Sequence, residues 1–522
     1  MNDFASRTMP EVETTSGRVR GAIIEGVVAF KTIPYGAPTS GANRFMPPRK
    51  PAPWAGVRDA LEYTGHAPQQ GLRPVPRPEL ADFSGPPDTS PESEDCLTLN
   101  VWSPAIGNAA KKPVMVWFHG GAFSYGTANA VRLQGSRLAK RGDVVVVTVN
   151  QRLNIFGFLD LSSVGGAEFA ESGNAGTLDM IAALEWVRDN IDRFGGDPRN
   201  VTIFGESGGG GKVCTLMAMP SARGLFHRAI VQSGAAVRLR ERDRAARLTE
   251  AVLSVLGLSR SDLGKLQALP IAQLLAAVEP AQKALGPAAR PLFDRYPFGP
   301  VVDGSIVPQH PFDASAPDVS ADIPLLIGDM KDEMASFLAR DDKIWLRTLT
   351  EQEMRERVAA VAGSHTDHVV ETYRRIYPGL NPAERLIATL TDSNFRIRSL
   401  IVAERKAQQG SAPVYMYSFE WETPVQGGRL KAPHALDVPF TFDTIELTNA
   451  TDRSPAAHSL AATMSGAWAA FAHSGVPSHQ SMPSWPTYDL QRRATMMLDA
   501  ECRVENDPRG ETARLWQELT AR

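Results

Sequence analysis

The chain has 522 residues, 43% of them hydrophobic and 22% charged, the composition of a globular protein long enough to bury a large core. Its 55 Lys and Arg stand against 58 Asp and Glu, a formal charge of −3, so no basic surface points to nucleic acid or an anionic membrane as a partner. No uncharged run is long enough to span a bilayer.

In chain order, residues 1–11 are polar and lack the apolar core of a secretory signal. Residues 15–36 alternate short β runs with glycines, the pattern of an N-terminal antiparallel ribbon. Residues 70–92 hold Pro74, Pro76, Pro78, Pro86, Pro87 and Pro91 among polar residues and read as a long loop that could act as a lid. From 97 to 235 strands and helices alternate. Strands are predicted at 113–118, 144–150, 201–204 and 228–232, and helices at 178–192 and 213–219. This alternation predicts a parallel sheet wrapped by helices. Residues 241–300, rich in Ala and Leu, read as a helical insertion over the sheet, and core strands resume at 323–327, 414–419 and 495–498. The whole of 1–522 is expected to form one enlarged α/β domain. The three cysteines, Cys96, Cys214 and Cys502, are far apart; read as free thiols in a reducing compartment, they give a cytoplasmic expectation.

Residues 205–209, Gly-Glu-Ser-Gly-Gly, fit the G-x-S-x-G nucleophile elbow between a predicted strand and a predicted helix. Small neighbours let the chain reverse sharply and leave the Ser207 hydroxyl exposed, and the helix N-terminus behind it supplies N–H groups for developing negative charge. Serine is a poor nucleophile without a base, and the base needs a third group to orient it. On an elbow scaffold the order is serine, acid, histidine, which removes His66 and His119 as bases. His434 lies in a loop after strand 414–419, at the sheet edge where doubly wound folds place their sites. His365 and His368 fall in a polar helical stretch, and their H-x-x-H spacing lacks the flanks of a zinc motif. The acid should follow the strand running into Gly328, where Asp332 and Glu333 both qualify. The loop His119-Gly120-Gly121 follows a strand and has the form of an oxyanion hole, with the N–H groups of Gly120, Gly121 and Gly208 as donors. No metal and no cofactor is needed for this chemistry.

These motifs, with Glu94-Asp95-Cys96-Leu97-Thr98-Leu99-Asn100, Gly173-Asn174-Ala175-Gly176-Thr177-Leu178-Asp179 and Phe194-Gly195-Gly196-Asp197-Pro198, resemble the type-B carboxylesterases, the cholinesterase-like branch of the α/β-hydrolases, over almost the whole chain. The resemblance implies an α/β-hydrolase fold with a mostly parallel central sheet and helical insertions over the active site. It implies hydrolysis of small-molecule carboxylic esters through an acyl-enzyme. It selects Glu333 as the acid beside Ser207 and His434, and it makes Ser233 a candidate brace for Glu333 or His434. Carbamates or amides are the alternative scissile bonds, and a non-catalytic binding protein is the alternative class. The chain departs from the family where Gly208 replaces a usual alanine and Lys212 a usual small residue. Cys96 also lacks the upstream partner that secreted members use for a disulfide. Lys212 is expected to be solvated or ion-paired, or else to tune charge near Glu206. Oligomeric state is not legible.

Overall fold

Strands whose every residue is apolar need a core on each face, and the centre of this molecule supplies both. In a computed structural model that describes residues 9–70, 77–81, 83–286 and 296–520, an 11-stranded sheet runs through the protein. Its spatial order is Arg503–Asn506, Ala494–Leu498, Val414–Phe419, Leu325–Met330, Arg228–Gln232, Gly196–Glu206, Lys112–Phe118, Val145–Val149, Thr98–Ser103, Val27–Pro34 and Ala22–Ile24. From Ala494–Leu498 to Val145–Val149 neighbouring strands are parallel, and the pairs outside that run are antiparallel. Along Val145–Val149 the side chains alternate between two cores: Val145, Val147 and Val149 join one apolar cluster, Val146 the other. The neighbouring strand divides likewise, with Val114, Val116 and Phe118 on one face and Met115 and Trp117 on the other.

Helices cover both faces. Ala175–Asn190 and Gly208–Met217 pack on the first, and Ser136–Gly142 and Pro455–Ser474 on the second. The insertion after the sheet centre consists of Arg242–Leu256, Leu263–Ala268 and Ile271–Ala284. Its Leu248, Val252, Leu266 and Leu274 close their own apolar cluster against Ile155, Phe156 and Phe158.

Two sequence expectations are revised, and a helical region extends a third. The ribbon at 15–36 is divided: Arg18–Arg20 pairs with Glu11–Glu13 and Val57–Asp59 in a separate three-stranded sheet, while Ala22–Ile24 and Val27–Pro34 form an edge hairpin of the main sheet. The helix after the elbow begins at Gly208 rather than at 213. Residues 334–409 are mostly helical, with a core of Met354, Val358, Val369, Tyr373 and Leu386, although their charged outer faces mask the pattern in sequence. Of the proline-rich segment, Pro78–Leu80 forms a short 3-10 turn; Pro74 and Pro76 lie outside the described residues, as do 1–8 of the polar N-terminal stretch and 287–295 of the insertion.

The signature around Asp179 has a structural basis. The Asp179 carboxylate, fully buried, accepts from Arg152 Nε at 2.8 Å, Arg152 Nη2 at 2.6 Å and the Arg152 backbone N–H at 3.0 Å. Arg152 also donates to Met46 O at 2.6 Å, tying the N-terminal segment to the first helix of the sheet centre. Removing one charge strands the other in a dry site. Asp179→Asn should therefore destabilise the fold by about 3–5 kcal/mol in urea unfolding; a change below about 1 kcal/mol would show that the pair is dispensable.

Candidate active site

Consecutive parallel strands release their chains at one edge of the sheet, and the candidate residues collect there. His119-Gly120-Gly121 follows Lys112–Phe118, Ser207 follows Gly196–Glu206, Ser233 follows Arg228–Gln232, and Glu333 follows Leu325–Met330. His434 comes from the connection beyond Val414–Phe419. Ser207, Gly208 and His434 line one cavity of about 370 Å³, together with Ala122, Phe123 and Phe395.

Ser207 has φ 56° and ψ −123°, a strained conformation for a residue with a side chain, and it ends the strand and begins the helix in one step. Its N–H donates to Gln232 O at 2.8 Å, pinning the turn to the adjacent strand. The glycines beside it are required by close approach. A Cβ on Gly120 would come within 2.9 Å of Glu206 Oε2 and 3.3 Å of Ser207 Cβ. A Cβ on Gly208 would meet Ala122 N at 2.5 Å, so the loop leaves no room for the alanine usual at this position. The N–H groups of Gly120, Gly121 and Gly208 donate to no backbone acceptor among the described residues.

His434 Nδ1 donates to Glu333 Oε2 at 2.5 Å, and Glu333 Oε1 accepts from Met330 N at 2.9 Å. Glu333 is fully buried. Asp332 turns away, its carboxylate accepting from Ala432 N at 3.4 Å. The rings of Phe337 and Phe395 stand 5.0 Å from the imidazole and fix its plane. The opposite edge of the imidazole brings in Glu206, a supporting residue of the sequence reading: Nε2 lies 3.1 Å from Glu206 Oε1, and that oxygen has no hydrogen-bond partner. No hydrogen bond joins Nε2 to the Ser207 hydroxyl.

Two expectations need correction. Ser233 braces neither Glu333 nor His434: its hydroxyl is buried without a hydrogen-bond partner. Lys212 is neither solvated nor ion-paired, since its side chain is fully buried and Nζ donates to the His119 carbonyl at 2.8 Å. A lysine five positions after the serine faces inward because the glycine helix lies against the sheet, a burial that sequence periodicity could not reveal.

A polar layer beneath the imidazole was also missed. Asp437 accepts from Gln232 Nε2 at 2.8 Å and from Tyr417 Oη at 3.2 Å, and Trp468 Nε1 donates to Gln232 Oε1 at 3.1 Å. Burial pushes the Asp437 carboxyl up to about 6. Burial also pushes Glu206 up to about 7, against the pull of the His434 and Arg132 cations. For His434 burial acts downward, but Glu206 and Glu333 outweigh it and raise the imidazole to about 9. His119 is held well below its ordinary value, by burial first and by Lys212 second. Among the described residues no group of His, Cys, Asp and Glu is gathered to hold a metal ion, and no helix is long and apolar enough to cross a membrane.

The carboxylesterase family profile matches residues 8–516. The chain is 38% identical over 503 residues to a para-nitrobenzyl esterase of Bacillus subtilis (strain 168), covering 96% of this chain and 97% of that one. It is 31% identical over 506 residues to a phenmedipham hydrolase of Pseudarthrobacter oxydans, covering 95% and 96%. A crystal structure of a Geobacillus stearothermophilus carboxylesterase superposes with a TM-score of 0.83 at 38% identity, covering 97% of this chain and all 100% of that one.

The fit of the loop at residues 119–123 against the elbow can be checked directly. Gly208→Ala should push Ala122 aside and cost about 1–3 kcal/mol by calorimetry, the usual range for overpacking. An unchanged melting temperature would mean that the loop yields freely.

Proposed function

The chain belongs to the carboxylesterase family, has the α/β-hydrolase fold and cleaves carboxylic esters; on that premise we propose that Ser207 is the nucleophile, His434 the base and Glu333 the carboxylate that orients it. The observation that carries this reading is the 2.5 Å bond from His434 Nδ1 to Glu333, formed at the wall of the cavity that Ser207 also lines. His434 takes the proton of the Ser207 hydroxyl as the oxygen attacks the ester carbonyl. The negative oxygen of the tetrahedral intermediate meets the N–H groups of Gly120, Gly121 and Gly208. His434 returns the proton to the departing alcohol, and water then repeats the sequence on the acyl-enzyme. For this exchange Nε2 turns its partnership from Glu206 to the serine. Retention of all three groups supports a working enzyme over a binding protein. The three free cysteines support a reducing, cytoplasmic setting.

The assignment is tested on esters of the kind for which the Bacillus subtilis relative is named. An organophosphate should label Ser207, read by peptide mass, and Ser207→Ala should abolish turnover. Glu333→Gln should lower kcat by about 10³–10⁴-fold, as loss of an orienting carboxylate does elsewhere. Asp332→Asn should leave kcat near wild type. The reverse ranking would make Asp332 the acid.

The pH profile offers a separate check. Glu206, Glu333 and Asp437 all favour the imidazolium, and the base must be neutral to act. Activity should therefore rise with pH as His434 loses its proton. Glu206→Gln removes one of the carboxylates, lowers the His434 pKa and should move the acid limb of kcat/KM to lower pH. A limb that stays in place or moves upward would remove Glu206 from this role.

A further inference from the structure

Lys212 is a costly residue to bury. Its side chain is fully enclosed, and no carboxylate among the described residues lies close enough to support its charge; burial alone holds its pKa well below that of a free lysine. An apolar residue would fill the same space on the first-face core without that penalty. What the amine does make is specific. Nζ donates to the His119 carbonyl oxygen at 2.8 Å. In the amide orientation that satisfies its neighbours, Gln151 accepts from Nζ at 2.7 Å and donates to Val149 O at 3.2 Å. The amine therefore spans from the elbow helix to the loop that faces the serine, with the Phe123 ring 5.9 Å away.

The carbonyl it grips belongs to the same peptide unit as the Gly120 N–H. That unit is planar and trans, so its C=O and N–H point in opposite directions, and fixing one aims the other. Drawing electron density toward the oxygen also makes the N–H a stronger donor. Gly120 in turn sits against Ser207, close enough that a Cβ there would lie 3.3 Å from the serine Cβ.

We propose that Lys212 is a positioning residue of the oxyanion hole: by holding His119 O from behind, it aims and strengthens the Gly120 N–H that receives the developing negative charge. The proposal rests on the reading of Gly120 as an oxyanion donor. The amine performs it in either protonation state, because the neutral form still carries N–H donors, though the charged form polarises more.

The test uses the full-length enzyme and Lys212→Met, which keeps the stem and removes the donor. The readouts are kcat and KM on an aryl ester and the affinity for a trifluoromethyl ketone, whose adduct with the serine carries the same oxyanion. The expected result is a fall in kcat on the order of 10–100-fold, a smaller loss than outright removal of a donor, with KM held within about twofold. Ketone affinity should weaken by the same factor as kcat/KM, and the melting temperature should hold or rise. Lys212→Leu, which likewise lacks a donor, carries the same comparison if the methionine variant does not fold. Wild-type kcat and ketone affinity in the variant would overturn the proposal. So would a loss confined to KM, or one that follows the melting temperature while the ketone still binds. Failure of the underlying site reading shows separately: a wild-type enzyme that forms no ketone adduct on Ser207 by fluorine NMR overturns both, whereas an adduct equally tight in wild type and variant overturns the role of Lys212 alone.

Discussion

The hydrogen bond between His434 and Glu333 joins residues separated by 101 positions, and it can close only if two strands lie in one register. Leu325–Met330 and Val414–Phe419 are parallel neighbours, paired from Leu325 with Val414 to Met330 with Phe419. Each chain then leaves the sheet at the same edge, one turning at once to Glu333, the other looping back to His434. A slip of one residue would send alternate side chains to the wrong core and pull the carboxylate away from the imidazole. The hydrophobic patterning of the strands thus does geometric service for the site, because burial on two faces is what makes the register stringent.

The imidazole is also an electrostatic compromise. Three buried carboxyl groups, on Glu206, Glu333 and Asp437, surround one basic ring, and desolvation pushes Glu206 and Asp437 toward neutrality. Glu333 takes a backbone N–H and the ring N–H, so its charge is held by donors. Asp437 is held through Gln232 and Tyr417, and Gln232 is locked in turn by Trp468. Glu206 Oε1 and Asp437 Oδ1 both lack a hydrogen-bond partner, and of the two it is Glu206 Oε1 that lies against Nε2, the atom proposed to receive the serine proton.

Much of this was legible in the residues themselves. The strands at 228–232 and 414–419 coincide with those observed, because an apolar run between turn residues has little else to become. The glycine-rich turns at 119–121 and 205–209 were legible because close backbone approach demands small residues at fixed places. The helix start was not. Gly208, Gly209, Gly210 and Gly211 have the propensity of a loop, about 1 kcal/mol per residue worse than alanine, and packing against neighbouring strand ends overrides it. Lys212 was misjudged for a related reason: its partner, the His119 carbonyl, comes from the loop after another strand, and hydrogen bonds between distant segments leave no periodic trace. Asp332 and Glu333 are neighbours whose side chains diverge, a distinction of backbone direction that position alone does not carry.

The helical insertion carries its own apolar cluster, which it shares with Phe45, Ile155, Phe156, Phe158, Leu159, Leu161 and Phe169 of the body. None of its three helices supplies a strand to the central sheet. An element held in this way is a separate unit of local opening, with a free energy set by its own contacts and bounded above by global unfolding. The insertion, which reaches the cavity wall at Arg244, can therefore open locally without drawing on the strand pairing of the central sheet. Rigidity belongs to the sheet and pliancy to the insertion, so the two are free to change at different rates.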